Sequence, residues 1–334
     1  MVVFPVDTPV AGHRRPAAGP TGEPRWTCAL VNNMPDGAFV QTEGQFLDLL
    51  DVGSGDQGLD VRLYAMAGIP RGEATGLRIA ERYRPMADLY DRPPQLLVVT
   101  GANPVEPTLQ AEPIWEDLVR LLTWAGGAVP SMLLSCLSAH AALTVFDGLQ
   151  RVSLPSKCTG VFTQRCAVGH PMTAGLGGSV ILPHSRVSTV PTDRVRAAGY
   201  EIALESTATD LPLEPLQTGW SVATRRVDRC DVVLVQAHPE YGPISLLREY
   251  QRDLRRFVRH ERDDLPVLPG HCASPGDMPR LEDLHRRITG GERETALFES
   301  FPFADVEARA PWGWRSPATQ LYTNWLAGVP ARSH

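Results

Sequence analysis

Met132-Leu133-Leu134-Ser135-Cys136-Leu137-Ser138-Ala139-His140-Ala141-Ala142-Leu143 decides how this chain is read. Its opening apolar run has the length and character of a strand buried on both faces. From Leu137 to Phe146 apolar and small residues continue at helical length. Cys136 therefore falls on a strand-to-helix junction. A sharp turn there exposes the side chain, and the amides and dipole of the following helix favour a thiolate. A buried structural cysteine is the alternative at such a junction, and the G-x-S-x-G pattern of serine elbows is absent.

Other runs set that junction in an alternating strand and helix order, which predicts an α/β fold with a mostly parallel open sheet flanked by helices. Cys28 to Val31, Leu59 to Tyr64, Leu96 to Val99 and Asp231 to Val235 read as strands. Helices are expected after the first strand, with Phe46, Leu49 and Leu50 on one face, over Glu112 to Trp124, and over Ile244 to Phe257. Between Gly148 and the last strand lie short β-like pieces: Gly160 to Val168, Ser179 to Leu182, Tyr200 to Leu204 and Trp220 to Arg225. Residues 1–25 read as a loosely ordered arm, 26–262 as one domain and 263–334 as an extension packing on it. In that extension, Leu321, Trp325 and Leu326 suit a helix that docks back.

The net charge of -6 and the lack of a basic tract argue against nucleic-acid binding. Apolar runs of only about five to seven residues exclude a helical membrane span. Six cysteines without metal-like spacing, and no secretory signal, point to reduced thiols in the cytoplasm and to no metal site.

A second motif, Ala237-His238-Pro239-Glu240-Tyr241, follows the strand Asp231 to Val235. Residues two apart in an extended segment share a face, so His238 and Glu240 can act together. A histidine at a strand end, fixed and made basic by a carboxylate, suits a general base for a cysteine nucleophile. A strand-end histidine bonded only to backbone is the bland alternative.

This order of motifs resembles the class I glutamine-amidotransferase-like fold, and within it the homoserine O-acyltransferase family of transacetylases and transsuccinylases. VNNMP…TEGQFLDLL, LLVVTGANPVE, SCLSAHAAL, KCTGV, LPHSR, QAHPEY, EYQRD and TQLYTNWL carry the resemblance. It implies that Cys136 takes an acyl group from acyl-CoA as a thioester, with His238 as base and Glu240 as its partner. An amide near Cys136 would stabilise the oxyanion. It implies amino-acid contacts at Lys157, Ser185 and Arg252, no permanently bound cofactor, acetyl-CoA or succinyl-CoA as co-substrate, and a homodimer. Lys157 has support of its own, as the single lysine among 32 basic residues. An ammonium and a guanidinium are not interchangeable where geometry matters.

For the acyl donor, the resemblance ties a glutamate after the Thr100-Gly101-Ala102 turn to acetyl-CoA. Glu106 takes that place if Asn103 is an insertion, and Val105 takes it otherwise; the first alignment makes acetyl the expected donor. The chain departs from the family at DGAFVQTE after Met34-Pro35, at Leu137, and in the loops after Cys158 and around 209–215. These leave serine or another hydroxy amino acid open as acceptor beside homoserine. A thiol amidohydrolase on the same fold and a non-catalytic binding paralogue are the competing readings. The first usually has glycines flanking its nucleophile, whereas Cys136 is flanked by Leu134-Ser135 and Leu137-Ser138.

Overall fold

The computed structural model describes residues 25–207 and 217–329. The expected N-terminal arm, apart from Arg25, and the loop around 209–215 lie outside the described residues.

Among the described residues, nine strands form one sheet. They are β1 (Trp26–Val31), β2 (Leu59–Tyr64), β3 (Leu96–Val99), β4 (Ser131–Ser135), β5 (Val152–Cys166), β6 (Ser179–Thr189), β7 (Glu201–Ser206), β8 (Gly219–Val227) and β9 (Cys230–Val235). Their order is β2-β1-β3-β4-β9-β8-β7-β5-β6. The first five run parallel, and the last four extend the sheet antiparallel from β9. The parallel half carries the expected apolar strands. β1, β3 and β4 are buried along their whole length, as helices on both faces require.

Helix α1 (Asp36–Ser54) buries Phe39, Phe46, Leu49 and Leu50, including the face read from the sequence. Shorter helices α2 (Glu73–Arg82) and α3 (Met86–Asp91) follow β2. Helix α4 (Trp115–Ala128) starts later than its apolar spacing suggested. Pro113 stands before it, and Glu112 turns inward to accept the Val105 and Glu106 amides instead of joining the helix. Helix α5 (Leu137–Asp147) leaves β4 directly, α6 (Thr192–Ala197) links β6 to β7, and α7 (Ser245–Val258) follows β9.

The short β-like pieces are longer than expected. β5 and β6 pair from Val152↔Thr189 to Arg165↔Ser179, with an irregularity between Ser153 and Cys158. Exposed Ser153, Pro155 and Ser156 hide this half of β5 from a hydrophobic reading. Beyond α7 the chain forms α8 (Met278–Thr289), α9 (Thr295–Ser300), α10 (Phe303–Ala308) and α11 (Arg315–Ala327). Helices α7, α8 and α9 share a cluster of Tyr250, Leu254, Val258, Leu284, Ile288 and Phe298. Helix α11 lies on α1, where a Cβ on Gly53 would stand 2.9 Å from that of Tyr322. Trp325 Nε1 donates to Ser131 Oγ at 2.8 Å, tying α11 to the start of β4.

Candidate active site

The ends of β4 and β9 are adjacent, because Ser135 pairs with Val235. Cys136 follows in a left-handed conformation, φ 50° and ψ -109°. For a residue with a side chain this stores on the order of 1–3 kcal/mol of strain. The backbone overdetermines it: Cys136 N donates to Val235 O at 2.7 Å, and Cys136 O accepts from His140 N at 3.2 Å. Gly101 lies against the elbow, where an added Cβ would sit 3.3 Å from Cys136 Cβ. Of the six free cysteines, Cys136 alone is partly exposed. Burial pushes up the thiols of Cys28, Cys158, Cys166, Cys230 and Cys272, the last two to about 12.

The structure brings His238 and Glu240 to this elbow. His238 N donates to Pro183 O at 2.8 Å, so β6 fixes the backbone of the base. His238 Nδ1 lies 2.7 Å from Glu240 Oε1, and both side chains are buried. Burial alone would depress the imidazole, but the Glu240 carboxylate and the Cys136 thiol outweigh it and hold its pKa well above 6.5. With Nδ1 committed to Glu240, Nε2 is the nitrogen left to face Cys136. It is buried with no other partner among the described residues.

Beside this trio stands a residue that the sequence reading did not single out, Glu249 on α7. Its Oε2 accepts from Ser185 Oγ at 2.6 Å and Lys157 Nζ at 3.1 Å, and its Oε1 from Tyr241 OH at 2.5 Å. Burial works against its charge, but Lys157 and the two hydroxyls prevail and hold its carboxyl below the usual range. Tyr241 stacks on His238, with ring centroids 4.4 Å apart, and so joins Glu249 to the base. Lys157 and Ser185 thus meet on one carboxylate. Arg252, one helical turn along from Glu249, keeps its side chain 54% exposed and bonds Asp253 at 2.9 Å through Nε. The one sequence signal that could have marked Glu249 is its place three residues before Arg252, on the same helical face.

The loop after β3 departs from expectation. Val105 and Glu106 are both exposed, so the Glu106 carboxylate does not fill a pocket. The buried carboxylate there is Glu112, which accepts both loop amides at 3.2 Å.

A sequence model of homoserine O-succinyltransferase matches residues 23–331. A homoserine O-succinyltransferase from Rhodopseudomonas palustris is 36% identical over 90% of this chain and 87% of its own length. Another, from Methylorubrum extorquens, is 34% identical over 99% of this chain and 96% of its own. A glutamine amidotransferase structure from Methylobacillus flagellatus aligns with a TM-score of 0.51 at 13% identity, covering 93% of this chain and 98% of that one, which speaks to the fold alone. Both relatives are named succinyltransferases, and the exposed Glu106 does not supply the pocket-facing carboxylate on which the acetyl expectation rested. The chain belongs to the homoserine O-succinyltransferase family, enzymes of homoserine O-acyl transfer.

Proposed function

We propose that the protein moves the succinyl group of succinyl-CoA to the hydroxyl of L-homoserine through a thioester on Cys136, as in methionine biosynthesis. The observation that carries this reading is the line Cys136, His238, Glu240: a strained elbow thiol before an imidazole whose far nitrogen is held at 2.7 Å by a buried carboxylate.

His238 Nε2 takes the thiol proton, and the thiolate attacks the thioester carbonyl of the donor. The carbonyl–sulfur bond to CoA breaks, and His238 returns the proton to the departing CoA thiolate. The homoserine hydroxyl then gives its proton to His238 and attacks the Cys136 thioester. The Cys136–carbonyl bond breaks, the thiolate is regenerated, and the ester leaves. Throughout, Glu240 fixes the tautomer and stabilises the imidazolium. The Leu137 amide belongs to the first turn of α5, whose N–H groups have no partner within a helix; it suits the oxyanion of both tetrahedral intermediates.

For the amino acid, Glu249 offers a fixed negative charge to the ammonium group, shaped by Lys157 and Ser185. Arg252 offers a guanidinium to the carboxylate. We also read 26–262 as the acyltransferase domain and 263–334 as an extension of it, supported by the packing of α11 on α1. Six free thiols favour a cytoplasmic enzyme. The test is product identification by mass spectrometry with succinyl-CoA and either homoserine or serine. O-Succinylhomoserine as the main product is expected. O-Succinylserine as the main product would move the acceptor, and ammonia release from glutamine without acyl transfer would replace the reading with an amidohydrolase.

A further inference from the structure

The loop from Gly101 to Glu106 starts against the nucleophile and ends on a guanidinium. At one end Gly101 packs on Cys136. At the other, Glu106 O accepts from Arg151 Nη2 at 3.2 Å. The same Nη2 stands 3.8 Å from the Glu112 carboxylate, which is already engaged with the Val105 and Glu106 amides. Arg151 is held to 11% side-chain exposure, yet among the described residues its contacts use only the Nη2 edge. Nε and Nη1 are therefore available to a ligand.

The Gly101–Glu106 loop thus joins the nucleophile to Arg151, whose pKa burial lowers while the charges of Glu112 and Cys136 oppose that. Arg186 also feels Cys136, but it is buried and its two terminal nitrogens are committed to Ser188 O and Gln217 O. Arg186 keeps only a buried Nε without a partner, whereas Arg151 keeps both Nε and Nη1.

Resting on the succinyl reading above, we infer that Arg151 binds the free carboxylate of the succinyl group as it is carried on Cys136, and so selects a dicarboxylic acyl donor over acetyl. That carboxylate lies two methylenes beyond the thioester carbonyl, and the loop that packs on Cys136 at Gly101 holds Arg151 at Glu106 O. An acetyl group brings no charge there and leaves the guanidinium edge without a partner. Glu112 keeps its amide donors throughout, so it positions Arg151 and the loop and does not touch the acyl group.

The test is single-turnover acylation of the full-length protein by succinyl-CoA and by acetyl-CoA, read as the mass gain on Cys136. Wild type is compared with Arg151→Gln and Arg151→Lys. A charge-assisted pair of this kind is worth roughly 10- to 100-fold. The ratio of succinyl to acetyl acylation rates should fall by about that factor in R151Q and recover in part in R151K, which keeps the charge without the fork. If R151Q does not fold, R151K alone should lower the ratio several-fold. An unchanged ratio, or an equal loss with both donors, overturns the inference and leaves Arg151 only as a support for the loop. Wild type acylated by acetyl-CoA and not by succinyl-CoA overturns the donor reading, and this inference with it.

Discussion

Replacing Glu240 by glutamine keeps the side-chain volume but removes the charge that His238 faces at 2.7 Å. Burial, the largest single influence on His238, depresses its pKa; Glu240 is the largest of the influences that raise it. In E240Q burial therefore gains ground, and the imidazole midpoint falls. A charge-assisted hydrogen bond contributes about 1.5–3 kcal/mol, and a unit charge about 4 Å away adds up to ~4 kcal/mol at an effective dielectric near 20. Allowing for overlap, the loss is on the order of 2–4 kcal/mol, or roughly 30- to 1,000-fold in kcat/KM. Linkage gives a second readout. Because folding raises the His238 pKa above 6.5, its stabilisation is fully present below about pH 6.5 and fades as pH climbs through the folded-state value. The stability gap between wild type and E240Q should be widest near pH 6 and narrow on the alkaline side. The assays are kcat/KM against pH, NMR titration of His238, and urea unfolding at pH 6 and above. A loss under 3-fold with an unshifted His238 midpoint would show that Glu240 does not set the basicity of His238.

Two further outcomes follow from other parts of the molecule. Glu249→Gln removes the charge on which Lys157, Ser185 and Tyr241 converge. The KM for homoserine should rise about 10- to 100-fold, while thioester formation from succinyl-CoA, measured by rapid quench, falls far less. Trp325→Ala opens a cavity between α11 and the sheet and leaves Ser131 Oγ without its indole donor. It should cost about 3–5 kcal/mol by urea unfolding, and a cost below 1 kcal/mol would contradict the packing of α11.

The parallel half of the sheet could be read from sequence because its strands are buried on both faces and appear as plain apolar runs, such as Leu96 to Val99. The elbow at Cys136 and the His238–Glu240 pair were legible for a related reason. Each follows directly on such a run, and their alignment depends on local period alone. Elements that meet water on one side were harder. Helix α2 buries only Thr75, so no apolar stripe announced it. The first half of β5 is stapled by its partner strand, and its own side chains do not reveal it. Glu249 was hidden differently. Its role comes from Lys157, Ser185 and Tyr241, brought to it by three separate elements, and no sequence spacing encodes that meeting. The reading of Glu106 failed because a position within a loop does not say which way its side chain faces.

Cys136 is the residue proposed to carry the acyl group. Intact-protein mass spectrometry after mixing with succinyl-CoA, on wild type and Cys136→Ala, tests it most directly. Wild type should gain one succinyl group, located by peptide mapping to Cys136, and lose it on addition of homoserine; C136A should gain none. An acyl group that forms equally on C136A, or that homoserine does not discharge, would contradict the account.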